Sequence, residues 1–170
     1  MKKYKLTDET TDVLGITLHR VKALKDFDDV KKGELGGYVE SERNLSQAGN
    51  CWVYGNAKVC DNAKVCDNAW VYDNAWVYDN AWVYDNAWVC GDAMICSDTD
   101  YMSIKGLGSE YRSTTIFRTK GKNIAVRCGC FYGTLTEFVD RVKEAHGNSK
   151  YAKEYLALVD LVKIHFESEE

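Results

Sequence analysis

The chain has 170 residues, a mass of 19.3 kDa and a formal net charge of -4. This length suits one compact unit with appendages rather than several independent domains. The small net charge argues against nucleic-acid binding through the electrostatic field of the whole protein. The N-terminus runs from lysines into polar residues, and no stretch approaches the ~20 apolar residues that span a bilayer. We therefore expect a cytoplasmic protein with no signal peptide and no membrane partner.

Residues 1–43 are predicted to form an N-terminal β cap. Strands are expected over residues 4–6 and 16–23, and the second of them alternates well between its two faces. The glycines in Lys32-Gly33-Glu34-Leu35-Gly36-Gly37-Tyr38 indicate a sharp entry into the segment that follows. Because terminal units of repeat arrays need caps, this region is interpreted as structural.

Residues 44–103 contain a hexapeptide repeat, of which eight copies run from Asn50 to Ser97. Four consecutive copies begin at residues 68, 74, 80 and 86 and read Asn-Ala-Trp-Val-Tyr-Asp, although the last ends in Cys90-Gly91. In an extended hexapeptide, Ala and Val share one face while Trp and Tyr share the other. The pattern predicts valine inside and Asp-Asn or Gly-Asn at the corners. It resembles the left-handed parallel β-helix of hexapeptide-repeat proteins, in which three copies make one coil.

Residues eighteen apart should then stack on one flat face of the column. This places Trp52, Trp70 and Trp88 on a first face, flanked by Tyr54 and Tyr72, whereas the other two faces carry fewer aromatic residues. Such a patch is large for a monomer to leave uncovered. Its cover is predicted to be the chain's own C-terminal helices or a neighbouring subunit of a homotrimer. The alternative is a platform that stacks on a ring-containing ligand.

Cysteine and aspartate patterns predict neither a disulfide framework nor a metal site. Four of the seven cysteines occupy the tyrosine slot of the repeat, which favours free thiols in a reducing compartment. Cys128-Gly129-Cys130 could bind a metal together with His146 or His165, but buried strand thiols are the favoured interpretation. The corner aspartates are interpreted as solvated turns rather than as cation ligands.

Residues 104–170 are predicted to form a C-terminal β-hairpin followed by two helices. Strands over 114–119 and 124–131 are joined by Lys120-Gly121-Lys122-Asn123. A four-residue loop would place Arg118 and Arg127 as diagonal neighbours on one face of the hairpin. These arginines, with Lys120 and Lys122, are candidate contacts for an anion, and a salt bridge to an acidic residue is an equal alternative.

The two helices are predicted from their caps and apolar stripes. Thr134 followed by Glu137 is a capping box for a helix that ends at His146-Gly147. Ser149 begins a second helix that reaches Phe166. Together with the hairpin they form a small α+β module, so the whole chain is predicted to be mainly β with one helical appendage.

Nothing in the sequence indicates catalysis. Hexapeptide β-helices are best known as acyltransferases, which generally use a histidine as general base. The three histidines, His19, His146 and His165, all lie outside the coils, and no long insertion interrupts the repeat. We therefore predict no catalytic residue and no cofactor.

Taken whole, the chain is similar to uncharacterised hexapeptide-repeat proteins of bacteriophages and prophages. The segments that carry the resemblance, nearly full length, are Lys32 to Tyr38, Glu42 to Gln47, Phe117 to Thr119, Cys128 to Thr134 and Lys150 to Leu156. The resemblance implies a small accessory protein of a mobile element and carries over no catalytic residues.

The function expected from these observations is binding without catalysis, by a homotrimer that sequesters a nucleotide signal or masks a host protein to counter host defence. Sequence-specific nucleic-acid binding is not expected. Two alternatives stay open. One is a hexapeptide-repeat acyltransferase that uses acetyl-coenzyme A, and the other is a structural spacer.

Overall fold

The computed structural model describes residues 1–167 and has a short solenoid at its centre. Each hexapeptide contributes one two-residue strand, because a two-residue corner, in most repeats Asp-Asn, interrupts the extended chain after the Tyr or Cys that follows the strand. These eight strands are β4 (Trp52–Val53), β5 (Lys58–Val59), β6 (Lys64–Val65), β7 (Trp70–Val71), β8 (Trp76–Val77), β9 (Trp82–Val83), β10 (Trp88–Val89) and β11 (Met94–Ile95).

Residues eighteen apart pair directly, as the sequence predicts. Trp52, Trp70 and Trp88 are parallel partners on the first face, Lys58, Trp76 and Met94 on the second, and Lys64 and Trp82 on the third. Every repeat valine from Val53 to Val89, and Ile95 after them, is fully buried, as are the repeat alanines. The mainly β fold class with a repeat column is thus confirmed.

The corner aspartates are built into the backbone of the column. Asp61, Asp67, Asp73, Asp79 and Asp85 all adopt positive φ values of 53 to 61°, a conformation that Asp tolerates better than most residues. Their carboxylates accept backbone N–H groups one coil later: Asp61 from Asp79 at 3.2 Å, Asp67 from Asp85 at 3.2 Å and Asp73 from Gly91 at 3.1 Å. Each of these three corners is therefore clamped to the next.

The N-terminal cap extends the second face of the column. Strands β1 (Tyr4–Val13), β2 (Ile16–Ala23) and β3 (Leu35–Val39) pair antiparallel, and β3 then pairs parallel with β5. The resulting six-stranded sheet has the order β1-β2-β3-β5-β8-β11. Buried Lys3 donates to the carbonyl oxygen of Cys51 at 2.9 Å and so ties the cap to the first coil.

The C-terminal module closes the other end. Strands β12 (Tyr101–Leu107), β13 (Arg112–Arg118), β14 (Ile124–Cys128) and β15 (Phe131–Thr134) form an antiparallel meander. One face of this sheet contributes Phe117 and Ala125 to the core of the column, and Lys120 N donates to Asp92 O at 2.9 Å. The other face packs Ile116 and Val126 against the two helices.

Both predicted helices are present with the predicted caps. Helix α1 (Leu135–His146) has the Thr134–Glu137 capping box, and in α2 (Lys150–Phe166) Ser149 accepts the N–H of Ala152. Residues 168–170 of the predicted C-terminal segment lie outside the described residues. Within residues 1–167, neither helix combines the length and apolar character that crossing a bilayer requires.

The hairpin register differs from the prediction by one residue. Arg118 pairs with Ile124, and Thr119 N donates to Asn123 O, so the loop is one residue shorter than expected, with Lys122 at φ 57°. A shift of one residue moves side chains to the other side of a sheet. Arg118 therefore lies on the helix-facing side and Arg127 on the column-facing side, and the prediction that they are neighbours on one face is wrong.

Candidate functional site

A groove of about 560 Å³ runs along the first face of the column, between the N-terminal cap and the C-terminal sheet. The repeat and the hairpin both contribute to it. Its lining residues are Tyr54, Gly55, Asn56, Trp70, Tyr72, Asp73, Asn74, Trp88 and Arg127. Five of the residues predicted as binding residues thus meet in one cavity.

An aromatic stack forms one wall of the groove. The indoles of Trp70 and Trp88 are parallel to within 3°, with ring centroids 5.3 Å apart, because their strands pair in register. The Tyr54 ring lies edge-on to Trp70 at 5.3 Å, and the Arg127 guanidinium lies over Trp88 at 5.5 Å. Since Trp70 covers one face of Trp88, Arg127 must cover the other. A ligand therefore meets ring edges, which carry the positive end of the aromatic quadrupole.

Three buried polar atoms on the groove residues have no hydrogen-bond partner in the protein. They are the hydroxyls of Tyr54 and Tyr72 and the Nε of Arg127. An unsatisfied buried group of this kind costs about 1–3 kcal/mol. Burial raises the pKa of both tyrosines, so the two hydroxyls stay protonated and can donate as well as accept. All three atoms are shielded from solvent, so a bound molecule would meet them only after a side-chain rotation.

Arg127 is positioned by the docking of the sheet on the last coil. The backbone N–H of Trp88 donates to Thr115 Oγ1 at 3.0 Å, and Thr115 is the direct cross-strand partner of Arg127. Nη1 of Arg127 makes one long contact of 3.5 Å with the Phe131 carbonyl. The guanidinium brings a positive charge to the groove, which suits an anion such as a carboxylate or a phosphate.

Trp52 does not line the groove, although the sequence places it on the same face. It is fully buried, with Tyr4 edge-on at 6.1 Å and Phe27 edge-on at 5.3 Å. The N-terminal cap covers this tryptophan and leaves the next two accessible. The expected face of five aromatic residues is therefore reduced to Trp70, Trp88 and the two tyrosines.

The other three predicted anion contacts also lie elsewhere. Arg118 forms an ion pair with Asp100 at 3.3 Å and donates to the Phe166 carbonyl at 3.2 Å, so it ties the hairpin to α2. The exposed side chain of Lys120 borders a different cavity of about 480 Å³ beside Glu137, and Lys122 is exposed at the hairpin tip. Of the two predictions made for Arg118, an anion contact and a salt bridge to an acidic residue, the structure shows the salt bridge.

The groove also includes corner residues that the sequence reasoning did not select. Asn56, Asp73 and Asn74 follow the strands β4 and β7 and line the groove as well. Their position could have been inferred, because each corner directly follows a tyrosine of the repeat. One carboxylate oxygen of Asp73 already accepts a hydrogen bond from the backbone N–H of Gly91.

None of the three histidines lines the groove. His19 contacts the Thr7 carbonyl at 3.2 Å, His165 contacts the Thr99 carbonyl at 2.9 Å, and His146 packs on Tyr155. Within the described residues, no group of three or more His, Cys, Asp or Glu side chains has a metal-binding arrangement. Cys128 is buried, whereas Cys130 is exposed.

Comparison with known proteins gives one partial similarity to report. No protein-family model matches the chain. The chain is 36% identical over 62 residues to a protein of Escherichia coli (strain K12) described as uncharacterized acetyltransferase YdcK. The match covers 32% of this chain, and the chain spans about a fifth, 19%, of the length of that curated relative. The repeat column and this partial similarity together fit a protein of the hexapeptide-repeat type.

Proposed function

We propose that the protein is a non-catalytic binding protein that holds a small anionic, ring-containing molecule of the nucleotide class in the first-face groove. The observation that carries the proposal is the convergence of Arg127 with an aromatic stack and two tyrosine hydroxyls. The side-chain amides of Asn56 and Asn74 also line the groove and can donate to or accept from a polar group. The positive charge of Arg127 selects an anion, and the ring edges favour a planar group.

A binding protein of this kind acts by holding its ligand, without converting it to a product. A protein that retains a nucleotide lowers the free concentration of that nucleotide, which is the counter-defence role proposed here for a phage-type accessory protein. Masking of a host protein is the other form of the same proposal. A homotrimer, which is common among hexapeptide β-helices, would present three such grooves.

Acyl transfer is the second candidate function, because the similar E. coli protein is described as an acetyltransferase. Acetyl-coenzyme A is itself a nucleotide derivative and could use the same groove. The chemistry also needs a general base, and the carboxylate that lines the groove, Asp73, already accepts the backbone N–H of Gly91 at 3.1 Å. The geometry therefore favours binding over turnover.

Titration calorimetry with AMP, CMP, GMP, UMP and acetyl-coenzyme A tests the proposal. At least one nucleotide should bind, and Arg127→Ala should weaken that binding about tenfold or more, because a hydrogen bond to a charged group is lost. Lys122→Ala is the matched control, since it removes a positive charge from the same hairpin outside the groove. Absence of nucleotide binding, or unchanged affinity in Arg127→Ala, would overturn the proposal. Turnover of acetyl-coenzyme A with an amine acceptor would establish the acyltransferase instead.

A further inference from the structure

A second cavity, of about 260 Å³, lies in the C-terminal module between the helix-facing side of the sheet and the two helices. It shares no lining residue with the first-face groove. Helix α1 lines it with Phe138, Arg141, Val142, Ala145 and His146. Their spacing of three and four residues places them on one face of the helix, so this face of α1 forms a continuous wall.

The floor of this cavity is apolar and aromatic. Phe138, Val142 and Tyr155 line it and are only 3 to 5% exposed. The Phe138 ring lies edge-on to Tyr155 at 5.5 Å, and the His146 ring stacks on Tyr155 at 5.8 Å. An apolar group that enters the cavity therefore leaves water and contacts aromatic rings.

Arg112 lies at the exposed rim, and the turn between β14 and β15 positions its side chain. At Gly129, a Cβ atom would come within 2.7 Å of Nη1 and 2.9 Å of Cδ of Arg112, so the arginine packs directly on the glycine backbone. Gly129 also adopts a positive φ of 57°. Arg112 alternates in step with Ile116 along β13, and Ile116 faces the helices, so Arg112 lies on the same side of the sheet as the cavity.

The cavity lining has an excess of positive charge. Among residues 1–167, no carboxylate oxygen lies within 4.0 Å of the side-chain nitrogens of Arg112. Arg141, the other arginine of the lining, pairs with Glu144 at 2.8 Å, but this pair is exposed and therefore weak. Glu110 supplies the one carboxylate of the lining. Arg112 is thus a cation at the mouth of an apolar cavity, with its charge available to a ligand.

We propose that this cavity binds a small organic carboxylate, with the carboxylate on Arg112 and the apolar body on the aromatic floor. A guanidinium pairs with a carboxylate through two parallel N–H···O bonds. Glu110 disfavours a doubly charged group such as a phosphate monoester. The volume of about 260 Å³ is below the ~300–1,000 Å³ of pockets for drug-sized ligands, so the ligand is smaller than a nucleotide. This inference does not depend on the proposed function.

Titration with phenylacetate, followed by ¹H–¹⁵N correlation NMR on the full chain, tests the inference. The amide signals of Ser109, Cys130 and Ala145 should shift together at millimolar concentrations. The uncharged analogue 2-phenylethanol should bind about tenfold or more weakly, because the hydrogen bonds to a charged group are lost. Acetate should also bind about tenfold or more weakly, because it has no ring to bury.

Two variants, each with a matched control, test the two halves of the site. Arg112→Ala should weaken phenylacetate binding about tenfold or more, whereas Lys105→Ala, which removes an exposed positive charge from the neighbouring strand β12, should not. Ala145→Trp should block the cavity, and because Ala145 is exposed the core stays intact. Ala157→Trp, on the exposed side of α2, is the control and should bind like the parent.

Equal binding of phenylacetate and 2-phenylethanol would overturn the inference, because Arg112 would then not select an anion. Unchanged affinity in Ala145→Trp, or shifts concentrated at Trp70 and Trp88, would place the ligand elsewhere and overturn it as well. Tighter binding of phenyl phosphate than of phenylacetate would contradict the choice of a carboxylate. If no signal shifts, the inference is wrong, whereas nucleotide binding in the first-face groove is decided by its own titration.

Discussion

At the scale of single residues, the five tryptophans of the repeat occupy one slot of the hexapeptide but differ in their surroundings. Trp52 is fully buried, whereas Trp82 is 46% exposed. The difference comes from Tyr4 and Phe27, which pack on Trp52 from the N-terminal cap. The hexapeptide itself does not indicate what packs on each tryptophan. The sequence could therefore predict that the tryptophans eighteen residues apart stack, but not which of them are accessible to solvent.

This difference predicts unequal effects of the same substitution. Trp52→Ala should lower the free energy of unfolding by about 3–5 kcal/mol, because it leaves a cavity beneath the cap. Trp82→Ala should lower it by about 1 kcal/mol or less, since half of that side chain already faces solvent. Urea unfolding followed by far-UV circular dichroism gives both values. Equal losses would mean that the cap does not cover Trp52 in solution.

Removal of one hydroxyl tests whether the groove is built for a ligand rather than for stability. Tyr72→Phe deletes a buried oxygen that faces the thiol of Cys90, a weak hydrogen-bond partner, so the free energy of unfolding should change by less than about 1 kcal/mol. The same variant should bind the nucleotide probe more weakly. Tyr155→Phe is the control, because its hydroxyl donates to the Leu107 carbonyl at 3.2 Å and its loss should destabilise the fold. A clear loss of stability in Tyr72→Phe would contradict this account.

At the scale of elements, the hairpin between β13 and β14 illustrates where sequence reasoning stops. Alternation along each strand predicts both strands, but the register depends on the loop. Lys122 adopts a positive φ, for which lysine gives no sequence signal, and the loop is one residue shorter than expected. That one residue separates Arg118 from Arg127 and assigns only the latter to the groove. The helices were predictable because Thr134, Glu137 and Ser149 are unambiguous cap residues.

The capping box of α1 predicts a loss of stability on acidification. Hydrogen bonds from the backbone and side chain of Thr134 lower the pKa of Glu137 below its ordinary value of 4.5. Because the folded-state pKa is the lower one, the stabilisation is present above pH 4.5 and disappears as the pH falls through the folded-state value. Glu137→Gln should therefore be less stable than the parent near neutral pH, and the two should converge in acid. A pH-independent difference would contradict this assignment.

The corner clamps predict an order among substitutions at one position. Asp67→Asn keeps a residue that tolerates positive φ and an oxygen that can accept the N–H of Asp85. Asp67→Ala loses both properties and should be less stable than Asp67→Asn by about 1–3 kcal/mol. Thermal unfolding of the two variants side by side measures this. Should both lose the same amount, the carboxylate contributes through charge rather than through geometry.

At the scale of the whole molecule, the groove exists because the column holds two separate modules in a fixed angular relation. The cap covers Trp52, the first two coils contribute Tyr54 and Tyr72, and the C-terminal sheet contributes Arg127. The eighteen-residue period of the sequence predicts the stacking along each face. It does not show over which face each module folds, because that depends on β3 pairing with β5 and on Thr115 meeting Trp88.

Deletions of different length separate the effect of repeat number from that of angular position. Deleting residues 68–85 removes one full coil and keeps Trp88 on the first face, now above Trp52 and beside Tyr54. Deleting residues 74–79 removes a single hexapeptide and moves Trp88, with Arg127 over it, to the position of Trp82 on the third face. Both variants should fold, because every remaining hexapeptide still finds a partner below it.

Nucleotide binding should distinguish the two deletions. The full-coil deletion keeps Tyr54, one tryptophan and Arg127 on one face, so weakened binding of the nucleotide probe should remain. The hexapeptide deletion separates Arg127 from Tyr54, and binding should be lost although fewer residues are missing. Titration calorimetry on both variants, after circular dichroism has shown that they fold, makes the comparison. If the hexapeptide deletion binds as well as the parent, the groove is not the binding site, and the column acts only as a spacer between its two modules.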